Sequence, residues 1–231
     1  MVAGLDGLDG LADLHVHTNH SDGVDSPAAV VEHALGRCEL DVVAITDHDT
    51  LTGALEAAAY ATARGWGDRL IVGEEVSTLE GHVLGLFLES PIPPRLSAAT
   101  TVQAIRDQGG VAIAAHAFWG CSRQKGVGSL IETLRFDAVE VANGGLLPDM
   151  RRANREAEAA CARLGLPAVG GSDAHVKEAI GWCHTAFSGV TAPALRLALL
   201  RGAVQPARIR AGATGIARYI AWGVTRRGVT A

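Results

Sequence analysis

The chain has 231 residues, 48% of them hydrophobic and only 19% charged, which is enough apolar material for one well-buried domain and argues against disorder. A net charge of -5 excludes the broad basic footprint of a duplex nucleic-acid binder, although the C-terminal stretch IARYIAWGVTRRG is locally basic. Cys38, Cys121, Cys161 and Cys183 form no CxxC pair, no leader pattern is visible, and no apolar run reaches the ~18 residues of a membrane span, so a reduced, cytoplasmic, soluble protein is expected.

LADLHVHT reads as a strand, followed by the helix SPAAVVEHALGRC with Ser26 as its cap and Pro27 in its first turn. LDVVAITDHD is β-branched and almost wholly apolar, as a strand buried on both faces would be. TLTGALEAAAYATARG is a helix stopped by Gly65. RLIVGEEVST and HVLGLFL are strands joined by only LEG, which predicts a hairpin. Then come a helix in SAATTVQAIRDQGG, a strand in VAIAAHAF, a short helix in VGSLIETLRF and a strand in DAVEVANG. PDMRRANREAEAACARLG is a long helix, LPAVGGSDAH a strand, and the rest, from about residue 192, is read as helical. The alternation predicts an α/β fold with a mainly parallel sheet of seven strands. No stretch is long enough to separate domains, so residues 1–231 are expected to form one.

The titratable residues gather where the strands end. His15 and His17 close the first strand, Asp47 to Asp49 the second, and Glu74 and Glu75 the third. His116, then Glu140 with Asn143, then Asp173 with His175 close three more. In barrels and open α/β folds that edge is where active sites lie. Side chains at i and i+2 of a strand share a face, so His15 and His17 point together. Asp173 and His175 do so if the strand continues. A tight hairpin would return His82 to Glu75. Imidazoles and carboxylates in this number suit Zn, Mn or Fe, and more than one ion, because four ligands complete a tetrahedral site. Asp13 and Asp47 are candidates to orient the ligand imidazoles. Arg123 and Lys125 lie in a loop where a phosphate clamp would sit, and His20 is near enough to meet substrate. Either reading is open for Glu140 and Asn143, ligation or bonding to nearby backbone. GGSDA also resembles a nucleophile elbow around Ser172 with His184 downstream, but that reading leaves the other histidines unexplained.

DLHVHTNHSDG, AITDHDT, GEEVST with GHVLGLF, AHAFW and GGSDAH resemble, in that order, the motifs of the polymerase and histidinol phosphatase (PHP) family, from about residue 13 to 188. The resemblance implies a distorted seven-stranded, TIM-like β/α barrel with a centre of two or three divalent metals, Mn, Fe or Zn. It assigns His15, His17, Glu75 and Asp173 to one metal. Glu75 would bridge to a second, held also by His116 and His82, and Asp22, His48 and His175 would hold a third. The pattern also departs from the family. Glu74 stands where an apolar residue is usual, Ala117 follows His116 where Pro is common, and the inserted domain of longer relatives is missing. The implied activity is hydrolysis of a phosphate monoester on a small molecule. The rivals are a phosphodiesterase or exonuclease with the same centre, a C–N hydrolase of the amidohydrolase type, and a non-catalytic binding module. Phe118 and Trp119 could stack on a substrate or simply pack.

Overall fold

The computed structural model describes residues 7–120, 125–147, 149–209 and 211–229. In chain order it holds β1 (Gly10–Asp13), α1 (Pro27–Gly36), β2 (Val42–Ile45), α2 (Thr52–Ala63), β3 (Leu70–Ser77) and β4 (His82–Leu86). α3 (Ala98–Asp107), β5 (Val111–Ala114), β6 (Ala138–Asn143), α4 (Met150–Leu164) and β7 (Ala168–Gly171) follow. β8 (Cys183–Phe187), α5 (Ala192–Leu200), β9 (Val204–Arg208) and α6 (Ala213–Val229) complete it. Local chemistry explains the boundaries. The Ser26 hydroxyl accepts from the Ala29 amide at the start of α1, and Gly165 takes the left-handed conformation that ends α4. VGSLIETLRF forms only a 3₁₀ turn, Gly128–Glu132, in place of the expected helix.

The strands form one sheet in the order β7-β6-β5-β4-β3-β2-β1-β8-β9. β1, β2 and β3 are parallel, as are β5, β6 and β7, while β4 runs against β3 and β5. Past the end of β1, Val16 bridges Ala174 past the end of β7, and the His17 amide donates to the Ala174 carbonyl at 2.9 Å. That contact brings the first and seventh strands together and nearly closes a barrel. Among the described residues the sheet has nine strands where seven were expected. β8 pairs antiparallel with β1, and β9 with β8. The C-terminal segment is therefore not wholly helical. β9 is an edge strand, which is why Pro206 is tolerated within it.

Ala12, Leu14, Val42, Ala44, Ile71, Leu84, Leu86, Val111, Ile113, Ala138 and Val169 form one apolar cluster with Phe187 and α5 residues Leu195 and Leu199. The period of two carries the same strand faces from this plug into polar residues. Ile71 leads to Glu75, Leu84 back to His82, and Ala138 to Glu140. The opposite faces of β2, with Val43 and Ile45, pack on α1 and α2. Among the described residues, no helix is long and apolar enough to cross a membrane.

Candidate metal centre

Glu75 is the hub. Its Oε1 lies 2.8 Å from His82 Nδ1 and 2.9 Å from His116 Nε2. Its Oε2 lies 3.0 Å from His15 Nε2, 3.3 Å from His17 Nε2 and 3.3 Å from His48 Nδ1. The hairpin does what its length predicts: His82 pairs with Ser77 across the ladder, diagonal to Glu75 and on its face. Asp173 Oδ1 adds a second carboxylate, 3.2 Å from His17 Nε2 and 3.5 Å from His15 Nε2. Asp22 lies 3.0 Å from His175 Nε2 and 3.5 Å from His17 Nδ1.

Among the described residues, three sets have ligand-type atoms within 4.8 Å of one another: His15, His17, Glu75 and Asp173; His17, Asp22, His48 and His175; and His48, Glu75 and His82. His116 joins the last through its contact with the same Glu75 oxygen. His48, with 20% of its side chain exposed, is the most open of these residues.

Backbone strain places two of them. His116 and Asp173 have φ of 29° and 52°, in the left-handed region that non-glycine residues avoid. The strand therefore does not continue through Asp173, and Asp173 and His175 serve different sets. His175 Nδ1 contacts the Asp173 carbonyl at 2.9 Å, leaving Nε2 toward Asp22.

Charge is balanced within the cluster. Burial alone would raise the Glu75 carboxyl; the imidazoles of His48, His15 and His82 outweigh it and hold the group well below the usual range. Asp173 behaves likewise under His15, His17 and His175. Conversely, burial would lower His17, but Asp173 and Glu75 bring it up to about 10. For His48 burial wins and pushes it down to about 4. Among the described residues, every ion-pair partner of Glu75 and Asp173 is an imidazole. Neither nitrogen of His17, nor Nε2 of His175, has an aligned hydrogen-bond partner there. Buried ring nitrogens that face carboxylate oxygens without an aligned hydrogen bond fit a cation between them once their protons are displaced.

A profile of the PHP-associated family matches residues 151–204. The uncharacterized protein MJ1587 of Methanocaldococcus jannaschii is 37% identical over 143 residues, which is 57% of this chain and 81% of that protein. The chain belongs to the PHP family. A 5'-3' exoribonuclease of Haemophilus influenzae is 37% identical over 105 residues, 44% of the PHP chain and 37% of the enzyme. A 3',5'-nucleoside bisphosphate phosphatase of Chromobacterium violaceum is 38% identical over 99 residues, 41% of the PHP chain and 33% of the enzyme. The chain thus spans about a third of either named enzyme. A two-domain protein from Bacteroides vulgatus containing a predicted PHP-like metal-dependent phosphoesterase shares the fold, with a TM-score of 0.69, 20% identity, and coverage of 86% of this chain and 64% of that one.

The other sequence candidates fall elsewhere. His20 Nε2 lies 2.8 Å from Glu56 of α2, outside the cluster. Lys125 contributes its carbonyl, which accepts from the His82 amide at 2.8 Å, while its side chain is exposed. Arg123 lies outside the described residues. Asp13 and Asp47 do not orient imidazoles as expected. Asp13 accepts from the amides of Ser172 and Gly181, and Asp47 from the hydroxyls of Thr18 and Ser21. Both carboxylates order backbone that carries the ligands.

Glu140 takes the orienting role instead. Its Oε1 lies 3.1 Å from His15 Nδ1, and its Oε2 accepts from the His116 amide and the Asn143 side chain. Ser172 is fully buried and donates to the His15 carbonyl, while His184 contacts the Gly181 carbonyl, so the two form no nucleophile pair. Trp119 is buried, its ring edge-on to His116 and its N–H donated to Asp149, so it packs the wall. Trp222 and Tyr219 of α6, unassigned from sequence, lie against His175. Their spacing of three on one helix face was the available signal.

Proposed function

We propose that this chain is a metal-dependent phosphoesterase that hydrolyses a phosphate monoester on a small molecule, such as a nucleotide, sugar or amino-alcohol phosphate. The observation that carries the reading is the convergence of His15, His17, His48, His82, His116 and His175 on Glu75, Asp173 and Asp22 at one end of the barrel. His15, His17, Glu75 and Asp173 would hold one divalent ion. His82 and His116, with Glu75 as the bridge, would hold a second. Asp22, His48 and His175 would hold a third. Mn, Fe or Zn suits this mixture of nitrogen and oxygen donors.

When bound, such ions supply charge for the phosphoryl oxygens and a water acidified enough to attack at neutral pH. The protein residues fix the geometry. Glu140 holds the His15 ring, and the Asp47 bonds hold the loop between His17 and Asp22. The plug of Ile71, Leu84 and Ile113 closes the floor. His48, the most open member of the cluster, faces the side from which a substrate phosphate would enter.

The exoribonuclease relative favours a second reading, cleavage of a phosphodiester in nucleotides or short nucleic acid. Release from an aryl phosphate monoester and from the matching diester, before and after chelation, decides between them. Chelator-sensitive monoester cleavage supports the proposal, and diester cleavage alone supports the second reading. Bound metal without turnover of either would leave a binding module.

A further inference from the structure

The C-terminal helix forms one wall of the cluster, beyond the stretch matched to the PHP-associated family. The Trp222 and His175 rings lie 4.0 Å apart between centroids, tilted by 31°. The Trp222 indole N–H donates to the Asp22 carbonyl at 2.8 Å. Tyr219, 5.2 Å from Trp222, meets His175 edge-on at 6.5 Å. Arg218 bonds Glu178 and lies 3.9 Å from Asp25. Gly215 lets the helix sit down: a Cβ there would come 2.7 Å from the Trp182 ring and 2.8 Å from the Glu178 carbonyl oxygen.

These contacts fall mainly on two segments, residues 22–25 and 175–178. The first carries Asp22 and the second His175. The Val24 amide already donates to the His175 carbonyl, so the segments run side by side. Neither lies in a strand. Lys177 also bonds Asp25 through its amide and its ammonium, and α6 packs over both segments.

We propose that Trp222 is a positioning residue for the subsite formed by Asp22, His48 and His175. Its ring limits rotation of the His175 imidazole, while its N–H fixes the backbone that presents Asp22. A ligand pre-set in this way loses less freedom when an ion arrives. The aromatic residues of α6 meet the cluster at His175 and at the Asp22 backbone, so Trp222 acts first on the ion held there. This rests on the proposed reading of the cluster as a metal centre.

The test is stepwise Mn(II) binding to the full-length protein, with bound metal counted by mass spectrometry after gel filtration. Wild type is compared with Trp222→Ala, Trp222→Phe and Gly215→Val, each checked for fold by circular dichroism. Trp222→Phe keeps a ring but removes the N–H. Gly215→Val lifts the helix and leaves Trp222 intact.

Trp222→Ala and Gly215→Val are expected to weaken one equivalent by about 10–100-fold while the rest bind as in wild type, with Trp222→Phe between. If Trp222→Ala does not fold, the other two variants decide. Folded variants that bind every equivalent like wild type, or that weaken all equivalents together, overturn the proposal. Wild type that binds no metal overturns the metal-centre reading and this inference with it.

Discussion

Replacing Glu74 by Gln tests how burial sets the charge of a residue next to the cluster. Glu74 is fully buried. Its Oε2 accepts from the Ile92 amide at 3.0 Å, and its Oε1 has no hydrogen-bond partner among the described residues. Burial pushes the carboxyl up to about 7 from an ordinary 4.5, against the Ile92 bond and with help from the Asp49 charge. Between those two values the folded chain holds a proton that the unfolded chain has released. Stability therefore falls as pH rises through that window, and the full penalty is present above the folded pKa. At about 1.4 kcal/mol per unit, the penalty is at most about 3.5 kcal/mol. Gln keeps the shape and the acceptor for Ile92 and cannot ionise. Urea unfolding at fixed metal concentration should show the variant gaining on wild type from about pH 5 to 8.5. The midpoint should then lie about 1 M higher at the upper end, for an m-value of ~3 kcal/mol/M. A difference that does not change with pH, or a variant less stable than wild type at pH 8.5, would refute the reasoning.

Glu140→Gln removes the anionic partner of His15 and should weaken metal binding by about 10–100-fold, read by competition with a coloured chelator. Gly171→Ala places a Cβ 2.6 Å from His15 Cβ and 2.7 Å from Glu140 Oε1. It should cost about 1–3 kcal/mol in thermal melts and lower metal content as well. Metal bound only by the folded chain at ~1,000 times its Kd adds about 4 kcal/mol, so chelation should lower Tm by roughly 10 °C in calorimetry. Because Asp173 and Glu75 hold His17 protonated up to about 10 in the metal-free cluster, a cation must displace protons. Loading at pH 7 should then acidify a weakly buffered sample, followed with an indicator dye, and binding should weaken as pH falls.

The ligand-bearing strand ends were legible because each side chain follows an apolar run whose period is visible locally. The β3–β4 hairpin was legible because three residues leave no other connection, and that placed His82 beside Glu75. β8 and β9 were not. CHTAF is too short to declare a period, and Pro206 in VQPAR argues against a strand unless its edge position is known. The Asp13 carboxylate was read as an imidazole partner, since its backbone donors, Ser172 and Gly181, come together only through closure of the barrel. Glu140 was ambiguous for the same reason: its contact with His15 spans 125 positions of sequence. The left-handed backbone at Asp173 broke the i, i+2 argument for His175, because local pattern carries no sign of a strained turn at a ligand.

The central claim is that the cluster around Glu75 is a metal centre. Elemental analysis of the purified full-length protein, kept free of chelators and supplied with Mn, Fe and Zn during expression, tests it most directly. The account predicts two or three equivalents of transition metal per chain, removed by chelation and restored on addition. A chain that stays folded and carries no metal under those conditions would contradict it.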